Sequence, residues 1–217
     1  MIAMLLAAGR GERLRPITDK IPKPLVEVRG KALIEYHLEK VREAGIENVV
    51  INLGWLGDKI LEHVGSGERF DVSVVYSPEG DNILETGGGI RRALPMLGTE
   101  PFVVINADIF TEMPIPDVEP GDNDLGHLVF VPKPDFREHG DFSMCDGKVS
   151  NDEPRDLTFS GVAVYRPEFF ADCEPVRFPL APMLRAAADD GRLSGSIYEG
   201  LWQDVGTIDR LNELNGV

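Results

Sequence analysis

The sequence is poor in positive charge and in cysteine. Its 217 residues include 22 Lys and Arg against 37 Asp and Glu, which gives a net charge of −15. Nucleic acids and anionic membranes bind basic surfaces, so this balance argues against both as partners. The two cysteines, Cys145 and Cys173, are too few for a disulfide framework and lack the spacing of metal ligands.

Long apolar runs are also missing. No stretch is apolar for long enough to cross a membrane, and Met1 leads into a short apolar strand without the basic segment of a signal peptide. We therefore expect a cytoplasmic protein with reduced thiols. The length suits one α/β domain with a sizeable core.

The scarce cations are concentrated near the start of the chain, in the stretch 5–24. An apolar strand opens there into Gly9 and Gly11, which let the backbone approach a ligand, and the small Ala8 leaves room beside them. Successive N–H groups of such a turn can face a polyanion. Four cations that suit phosphate oxygens follow: Arg10, Arg13, Arg15 and Lys23. The stretch predicts a phosphate-binding loop.

Two common phosphate motifs do not fit this loop. The dinucleotide pattern GxGxxG requires a third glycine where Leu14 stands, and a long loop with prolines follows instead of a helix. The Walker pattern GxxxxGK[ST] is absent. The stretch instead resembles the signature of nucleotidyltransferases that act on sugar 1-phosphates. The matching positions are Gly9, Gly11, Glu12, Arg13, Pro16, Thr18, Pro22, Lys23 and Pro24.

Strands and helices alternate after the loop, which predicts a parallel sheet with right-handed crossovers. We expect strands at 48–52, 72–76 and 101–106, with helices at 33–44, 56–64 and 90–97. The resemblance implies a Rossmann-like three-layer α/β/α nucleotidyltransferase fold with a mixed, mostly parallel sheet. It also implies a single domain over 1–217, with a nucleotide-binding lobe (1–112), a sugar-binding lobe (113–200), and a metal-ligand turn with a C-terminal helix (201–217).

A loop with three consecutive glycines, at 77–89, is expected before the helix at 90–97. Exposed backbone there could pair with the edge of a base, although a flexible hinge is the alternative interpretation. In the family resembled, the loop after this strand contacts the base. The candidate residues are Glu85, Thr86, Gly87 and Gly88.

Asp108 follows the apolar strand 101–106, at the edge of the sheet where ligands bind in open α/β folds. A carboxylate beside a phosphate loop would repel the ligand unless a divalent cation lay between them, and Mg²⁺ prefers one or two carboxylates with phosphate oxygens. The resemblance implies that Asp204, in the run WQDVGT, is the second metal ligand. Either aspartate could instead cap a turn.

The resemblance implies a role for each candidate residue. Arg13 and Lys23 are the catalytic cations, and the nucleotide is bound by Ala8, Gly9, Gly11, Glu12, Arg13, Lys23, Glu85, Thr86, Gly87 and Gly88. The second lobe has few cations, and its polar side chains suit neutral hydroxyls, so we expect the sugar to be bound by Asn106, Asp141 and, as a weaker candidate, Glu153. The cofactor is Mg²⁺, and the substrates are UTP, or another nucleoside triphosphate, and a sugar 1-phosphate.

Within the family, the chain most resembles the uridylyltransferases that act on N-acetylmuramate 1-phosphate. The similar features are the ETGGG run at 85–89, HGDF at 139–142 and LTFSGVAVY at 157–165. The Glu-Lys-Pro motif of hexose-1-phosphate enzymes is not evident, since Glu153 is followed directly by Pro154. A hexose 1-phosphate with UTP, dTTP or GTP remains the alternative.

Two alternatives from other classes remain open. A non-catalytic regulator that binds sugar nucleotides would be expected to lack one of Arg13, Lys23, Asp108 and Asp204, and all four are present. A glycosyltransferase usually carries Asp-x-Asp at the strand end, where this sequence has Asn106-Ala-Asp108. No apolar surface stripe argues for a dimer, so we expect a monomer or a weak homo-oligomer.

Overall fold

The computed structural model describes residues 1–80, 83–134 and 137–216. Its strands are β1 (Ala3–Leu6), β2 (Glu27–Val28), β3 (Lys31–Ala32), β4 (Asn48–Leu53), β5 (Ser73–Pro78), β6 (Phe102–Asn106), β7 (Ile109–Thr111), β8 (Gly126–Pro132), β9 (Ser143–Cys145), β10 (Lys148–Ser150), β11 (Leu157–Tyr165), β12 (Leu193–Ile197) and β13 (Trp202–Asp204). Its α-helices are α1 (Leu33–Glu43), α2 (Gly57–Val64), α3 (Glu85–Leu97), α4 (Glu168–Ala171), α5 (Ala181–Asp189) and α6 (Ile208–Asn215).

A mixed sheet forms the centre of the fold. Over the described ranges it has nine strands in the order β5-β4-β1-β6-β11-β8-β12-β10-β9. Strands β5, β4, β1 and β6 are parallel neighbours, as are β8 and β12, while β11 and β10 run against their neighbours. Of these nine strands only β11 and β10 run opposite to the others, which confirms the predicted mixed, mostly parallel sheet.

Helices cover both faces of this sheet. Alternate residues of a strand point to opposite faces, and in the buried strands both sets are apolar, so each face needs a layer of helices. In β6, Val103 and Ile105 pack with α1 and α2, whereas Phe102 and Val104 pack with α3, α4 and α5. The three-layer α/β/α architecture that the resemblance implied is therefore confirmed. In the described residues, no helix is long and apolar enough to cross a membrane.

A third apolar cluster joins the phosphate loop to the end of the chain. Leu14, at the position where a dinucleotide motif would need glycine, is fully buried there with Phe110 and Val205. Leu211 and Leu214 of α6 complete the cluster. A large apolar side chain thus anchors the loop, which explains physically why a glycine is not required at this position.

The predicted start of the helix at Ile90 is wrong, because α3 begins at Glu85 and includes all three glycines. Two of these glycines, Gly87 and Gly88, leave room for the segment 176–178, which packs directly on the helix. A Cβ on Gly87 would lie 2.2 Å from the ring of Phe178, and one on Gly88 would lie 2.4 Å from the carbonyl oxygen of Val176. The close approach requires glycine despite its cost of about 1 kcal/mol per residue in a helix.

Candidate active site

A cavity of about 1070 Å³ opens at the carboxyl ends of β1, β4, β5 and β6. Such ends are where open α/β sheets bind ligands. The cavity is lined by residues 6–14, Lys23, Pro24, Asn52, Glu79, 83–86, Asn106, Asp108, Val176, Arg177 and Gly206. The structure therefore brings the phosphate loop, the start of α3 and the end of β6 to one cavity.

Lys23 is the most buried cation of the site, with 6% of its surface exposed. It lies between Pro22 and Pro24, in a short 3-10 helix. Its ammonium nitrogen lies 2.7 Å from Asp108 Oδ2 and 3.5 Å from Asp204 Oδ1. Asp108 and Asp204 follow Lys23 by 85 and 181 positions in the sequence, and the fold brings both to its ammonium nitrogen.

The convergence of the two aspartates follows from a small antiparallel ladder. Strand β13 pairs with β7, so that Asp204 lies opposite Ile109, and the N–H of Val205 donates to the carbonyl oxygen of Asp108 at 3.2 Å. Asp204 also receives Arg13 Nη2 at 3.5 Å and Arg210 Nη1 at 3.2 Å. Asp204 is therefore surrounded by cations, whereas the more exposed Asp108 faces the cavity.

The same arrangement fits a divalent cation. Within the described residues, no group of three or more His, Cys, Asp or Glu side chains could hold a metal. Asp108 and Asp204 are nevertheless both within 3.5 Å of the cationic atom Lys23 Nζ, which shows that they can direct oxygens at one positive charge. Two carboxylates completed by substrate phosphate oxygens are the usual environment of Mg²⁺.

Gly11 fixes the shape of the phosphate loop. Its φ of +62° is in the left-handed region, and a Cβ there would lie 2.9 Å from Thr18 Cγ2 and 3.2 Å from Lys23 Cβ. Thr18 Oγ1 donates to the carbonyl oxygen of Gly11 at 2.8 Å. The loop is thus folded tightly over Thr18 and Lys23, while its Gly9 meets no atom within 4 Å.

Asn106 lies at the end of β6 and lines the cavity. Strand β11 has an irregularity between Phe159 and Val162, where Gly161 adopts a φ of +85°. A Cβ on Gly161 would lie 2.6 Å from Asn106 Nδ2. The bulge and the glycine together leave room for the Asn106 side chain at the cavity.

Asp141 and Glu153 do not line this cavity. Asp141 Oδ2 accepts from the N–H of Phe159 at 2.9 Å, and its other oxygen lies 3.3 Å from Arg137 Nη1. Glu153 is exposed, and the N–H and side chain of Arg155 lower its pKa. The structure therefore does not bring these two predicted sugar ligands to the Lys23 cluster, and their role stays a prediction.

The predicted base-contacting residues divide into two pairs. Glu85 and Thr86 line the cavity, whereas Gly87 and Gly88 are buried against Phe178 and Val176. The interpretation of all three glycines as exposed loop backbone was wrong for the reason given above. Glu85 has a φ of +61°, unusual for a residue with a side chain.

Residues 2–120 match the family described as nucleotidyl transferase. The whole chain is 45% identical to the N-acetylmuramate α-1-phosphate uridylyltransferase of Neisseria meningitidis serogroup B, over 98% of that protein. The chain belongs to this nucleotidyltransferase family. It is also 38% identical, over 94% of its length and 91% of the relative, to the N-acetylmuramate α-1-phosphate uridylyltransferase of Caulobacter vibrioides.

A solved structure of HddC from Yersinia pseudotuberculosis, complexed with GMP-PN, has the same fold. The TM-score is 0.81 at 21% identity, and the superposition covers 99% of this chain and 98% of the other. The nucleotidyltransferase fold is thus shown independently of close sequence similarity.

Sequence reasoning missed four polar residues of this nucleotidyltransferase that the structure places at or beside the cavity. Asn52 and Glu79 line it from the ends of β4 and β5, Arg177 lines it from the segment before α5, and Arg210 of α6 contacts Asp204. Asn52 and Glu79 could have been found, because they lie at the carboxyl ends of neighbouring parallel strands, at the same edge as Asp108. Arg177 and Arg210 carry no such signal.

Proposed function

We propose that the protein transfers UMP from UTP to N-acetylmuramate 1-phosphate, giving a nucleotide sugar and pyrophosphate. The observation that supports this best is the position of Lys23 between Asp108 and Asp204, beside a glycine loop at a nucleotide-sized cavity. The choice of base and sugar is supported by the two relatives with this activity in their names.

The reaction needs no covalent enzyme intermediate. An oxygen of the sugar 1-phosphate attacks the α-phosphorus, a new P–O bond forms there, and the bond from the α-phosphorus to the bridging oxygen breaks as pyrophosphate leaves. The attacking oxygen is already ionised, so the enzyme contributes positioning and charge stabilisation.

Each catalytic cation has a distinct task in this proposal. Lys23, the buried ammonium group, neutralises the repulsion between the α-phosphate and the incoming sugar phosphate. Arg13, which is exposed at the cavity, holds the β- and γ-phosphates and stabilises the leaving pyrophosphate. Gly9 and Gly11 let the loop backbone approach the same phosphates.

Asp108 and Asp204 would hold Mg²⁺ between them. When bound, the ion neutralises charge on the α-phosphate. The two carboxylates also keep Lys23 at the point where the two substrate phosphates meet, because both accept from its ammonium group.

The remaining predicted contacts belong to the same proposal. Asn106 takes a sugar hydroxyl at the end of β6, while Asp141 and Glu153 stay candidates of the sugar-binding lobe at 113–200. Ala8, Glu12, Glu85 and Thr86 contact the nucleotide within the lobe at 1–112. We further propose a cytoplasmic enzyme of peptidoglycan recycling that is a monomer or a weak homo-oligomer.

The proposal is tested by incubating the protein with Mg²⁺, UTP and N-acetylmuramate 1-phosphate and measuring the release of pyrophosphate. A panel of nucleoside triphosphates against glucosamine, glucose and mannose 1-phosphates tests the specificity. Lys23→Ala and Asp108→Ala should each reduce turnover at least about 10²-fold. Near-normal pyrophosphate release by either variant would overturn the assignment of the site.

The same incubations separate the rival classes. Release of a nucleoside diphosphate from a sugar nucleotide would indicate a glycosyltransferase. Binding of the sugar nucleotide without any turnover would indicate a regulatory protein.

A further inference from the structure

The irregularity in β11 lies beside Asn106, at the edge of the cavity. The pairing of β11 with β8 shifts there, so that Ser160 and Gly161 have no partners in β8. We call these two residues the β11 bulge. A bulge re-aims the side chains next to it and leaves backbone groups without partners in the ladder. The groups that pair with the β11 bulge therefore decide whether it keeps its shape.

Two side chains pair with the backbone around the β11 bulge. The buried hydroxyl of Ser160 donates to the carbonyl oxygen of Val129 at 2.6 Å and accepts from the N–H of Val162 at 3.2 Å. The carbonyl oxygen of Ser160 accepts from Nε1 of Trp202 at 2.9 Å. A buried carbonyl group without a partner is costly, so the indole N–H stabilises the bulged backbone.

The β11 bulge makes the space that the side chain of Asn106 fills. Val162 pairs with Ile105 of β6, which brings Gly161 beside Asn106. A Cβ on Gly161 would lie 2.6 Å from Nδ2, 2.8 Å from Cγ and 2.9 Å from Cβ of Asn106. The amide therefore keeps its place at the cavity because Gly161 has no side chain and holds a φ of +85°.

Trp202 and Asp204 belong to the same three-residue strand, β13. Side chains two residues apart on a strand point to the same face, about 7 Å from each other. The indole of Trp202 reaches the carbonyl group of Ser160, and the carboxylate of Asp204 reaches Lys23 Nζ. Strand β13 thus fixes the distance between the β11 bulge and a carboxylate that we assign to Mg²⁺.

We propose that Trp202 is a positioning residue for the sugar 1-phosphate. Its N–H holds the β11 bulge, so that Asn106 meets a sugar hydroxyl while the sugar phosphate lies at Lys23. Trp202 itself does not line the cavity and acts through Asn106. The inference rests on the proposed function and adds the residue that sets the distance between the hydroxyl contact and the phosphate contact.

Trp202 also packs on the apolar cluster between the sheet and helices α1 and α2. Packing requires the ring, whereas positioning requires the N–H, so Trp202→Phe separates the two roles. Loss of packing alone would lower the stability and the amount of active enzyme. Loss of the donor would change how one substrate binds and leave the binding of the other unchanged.

Steady-state kinetics with Mg²⁺, UTP and N-acetylmuramate 1-phosphate test the proposal. In Trp202→Phe, we expect KM for the sugar 1-phosphate to rise at least about fivefold, because the carbonyl group of Ser160 loses its donor. KM for UTP and the affinity for Mn²⁺, measured by electron paramagnetic resonance, should stay within about twofold of the wild type. Asn106→Ala should raise the same KM, and the two effects should not add in the double variant.

Trp55→Phe is the matched control. Trp55 is the other of the two tryptophans, and its Nε1 also donates to a backbone carbonyl oxygen, that of Thr18, at 2.8 Å. Thr18 belongs to the phosphate loop, where its hydroxyl donates to the carbonyl oxygen of Gly11. This variant should therefore raise KM for UTP and leave KM for the sugar 1-phosphate within about twofold of the wild type.

Three results would overturn the proposal. They are a wild-type KM for the sugar 1-phosphate in Trp202→Phe, full additivity with Asn106→Ala, and an equal rise of that KM in Trp55→Phe. If Trp202→Phe does not fold, Gly161→Ala decides, because its Cβ must displace the amide of Asn106. A folded Gly161→Ala with a wild-type KM for the sugar 1-phosphate would then overturn the proposal. A wild-type enzyme that releases no pyrophosphate from UTP with any sugar 1-phosphate would instead refute the proposed function itself.

Discussion

The ammonium nitrogen of Lys23 lies 2.7 Å from Asp108 Oδ2, and this side chain also approaches Asp204. Lys23 therefore compensates the negative charge of the two carboxylates to which we assign a divalent cation. An ammonium group and a metal ion both reduce the repulsion between Asp108 and Asp204. The presence of the ammonium group should therefore lower the affinity of the two carboxylates for a metal ion.

Lys23→Met should separate these two effects. Without the ammonium group, the carboxylates should bind Mn²⁺ more tightly in the absence of nucleotide, by about tenfold, which electron paramagnetic resonance titration would measure. Turnover should still fall at least about 10²-fold, because the charge between the two substrate phosphates is lost. Lys20→Met, on an exposed side chain of the same loop, should change neither quantity. Unchanged Mn²⁺ affinity in Lys23→Met would contradict the shared role.

Gly87→Ala should destabilise the fold by about 1–3 kcal/mol, because its Cβ would overlap the ring of Phe178 at 2.2 Å. Urea unfolding would measure the loss. Phe178→Leu in the same chain should recover part of it by shortening the opposing side chain. Gly9→Ala is the steric control, since a Cβ there meets no atom within 4 Å, and its free energy of unfolding should not fall. An equal loss in both glycine variants would refute the packing argument.

Arg177 Nε and Nη2 donate to Glu85 Oε1 at 2.8 and 2.7 Å. The pair is largely exposed, so its contribution to stability should be below about 1 kcal/mol. Its contribution to nucleotide binding should be larger, because Glu85 lines the cavity with a positive φ that Arg177 helps to hold.

Steady-state kinetics of Arg177→Ala should therefore show KM for the nucleotide raised about 3–10-fold, with kcat and the melting temperature little changed. Arg192→Ala is the matched control, because Arg192 does not line the cavity. In the double variant with Glu85→Gln, the second change should add little. Fully additive losses would mean that the two side chains act separately.

The parts of the site that sequence predicts best are those carried by a long local motif. Arg13 and Lys23 come from such a motif, and the run WQDVGT placed Asp204 with them, as the geometry now shows. The resemblance also implied the architecture correctly. In contrast, Gly87 and Gly88 were wrongly predicted to form a loop. Their place in α3 depends on the packing of Phe178, about 90 positions later in the sequence, and no local pattern in the sequence indicates that contact.

Glu79 and Asn52 show a different limit. Each is an ordinary polar residue at the end of a strand, and only their hydrogen bond across β4 and β5 distinguishes them. The same rule that singled out Asp108, that ligands bind at the carboxyl ends of parallel strands, applies to both. The register between neighbouring strands, which the sequence does not state, decides which of these polar residues meet.

His37 should make the fold sensitive to acid. It is fully buried on α1, its Nε2 lies 3.0 Å from the carbonyl oxygen of Ile109, and burial lowers its pKa from 6.5 to about 4. Between these values the unfolded chain binds the proton more readily than the folded one, so stability is complete above pH 6.5 and falls as the pH drops toward 4. At pH 5 this loss should be about 2 kcal/mol.

Urea unfolding at pH 7 and pH 5 should show that His37→Gln lacks this part of the loss, while the surface variant His63→Gln retains it. An identical pH dependence in His37→Gln and the wild type would exclude His37 as the titrating group.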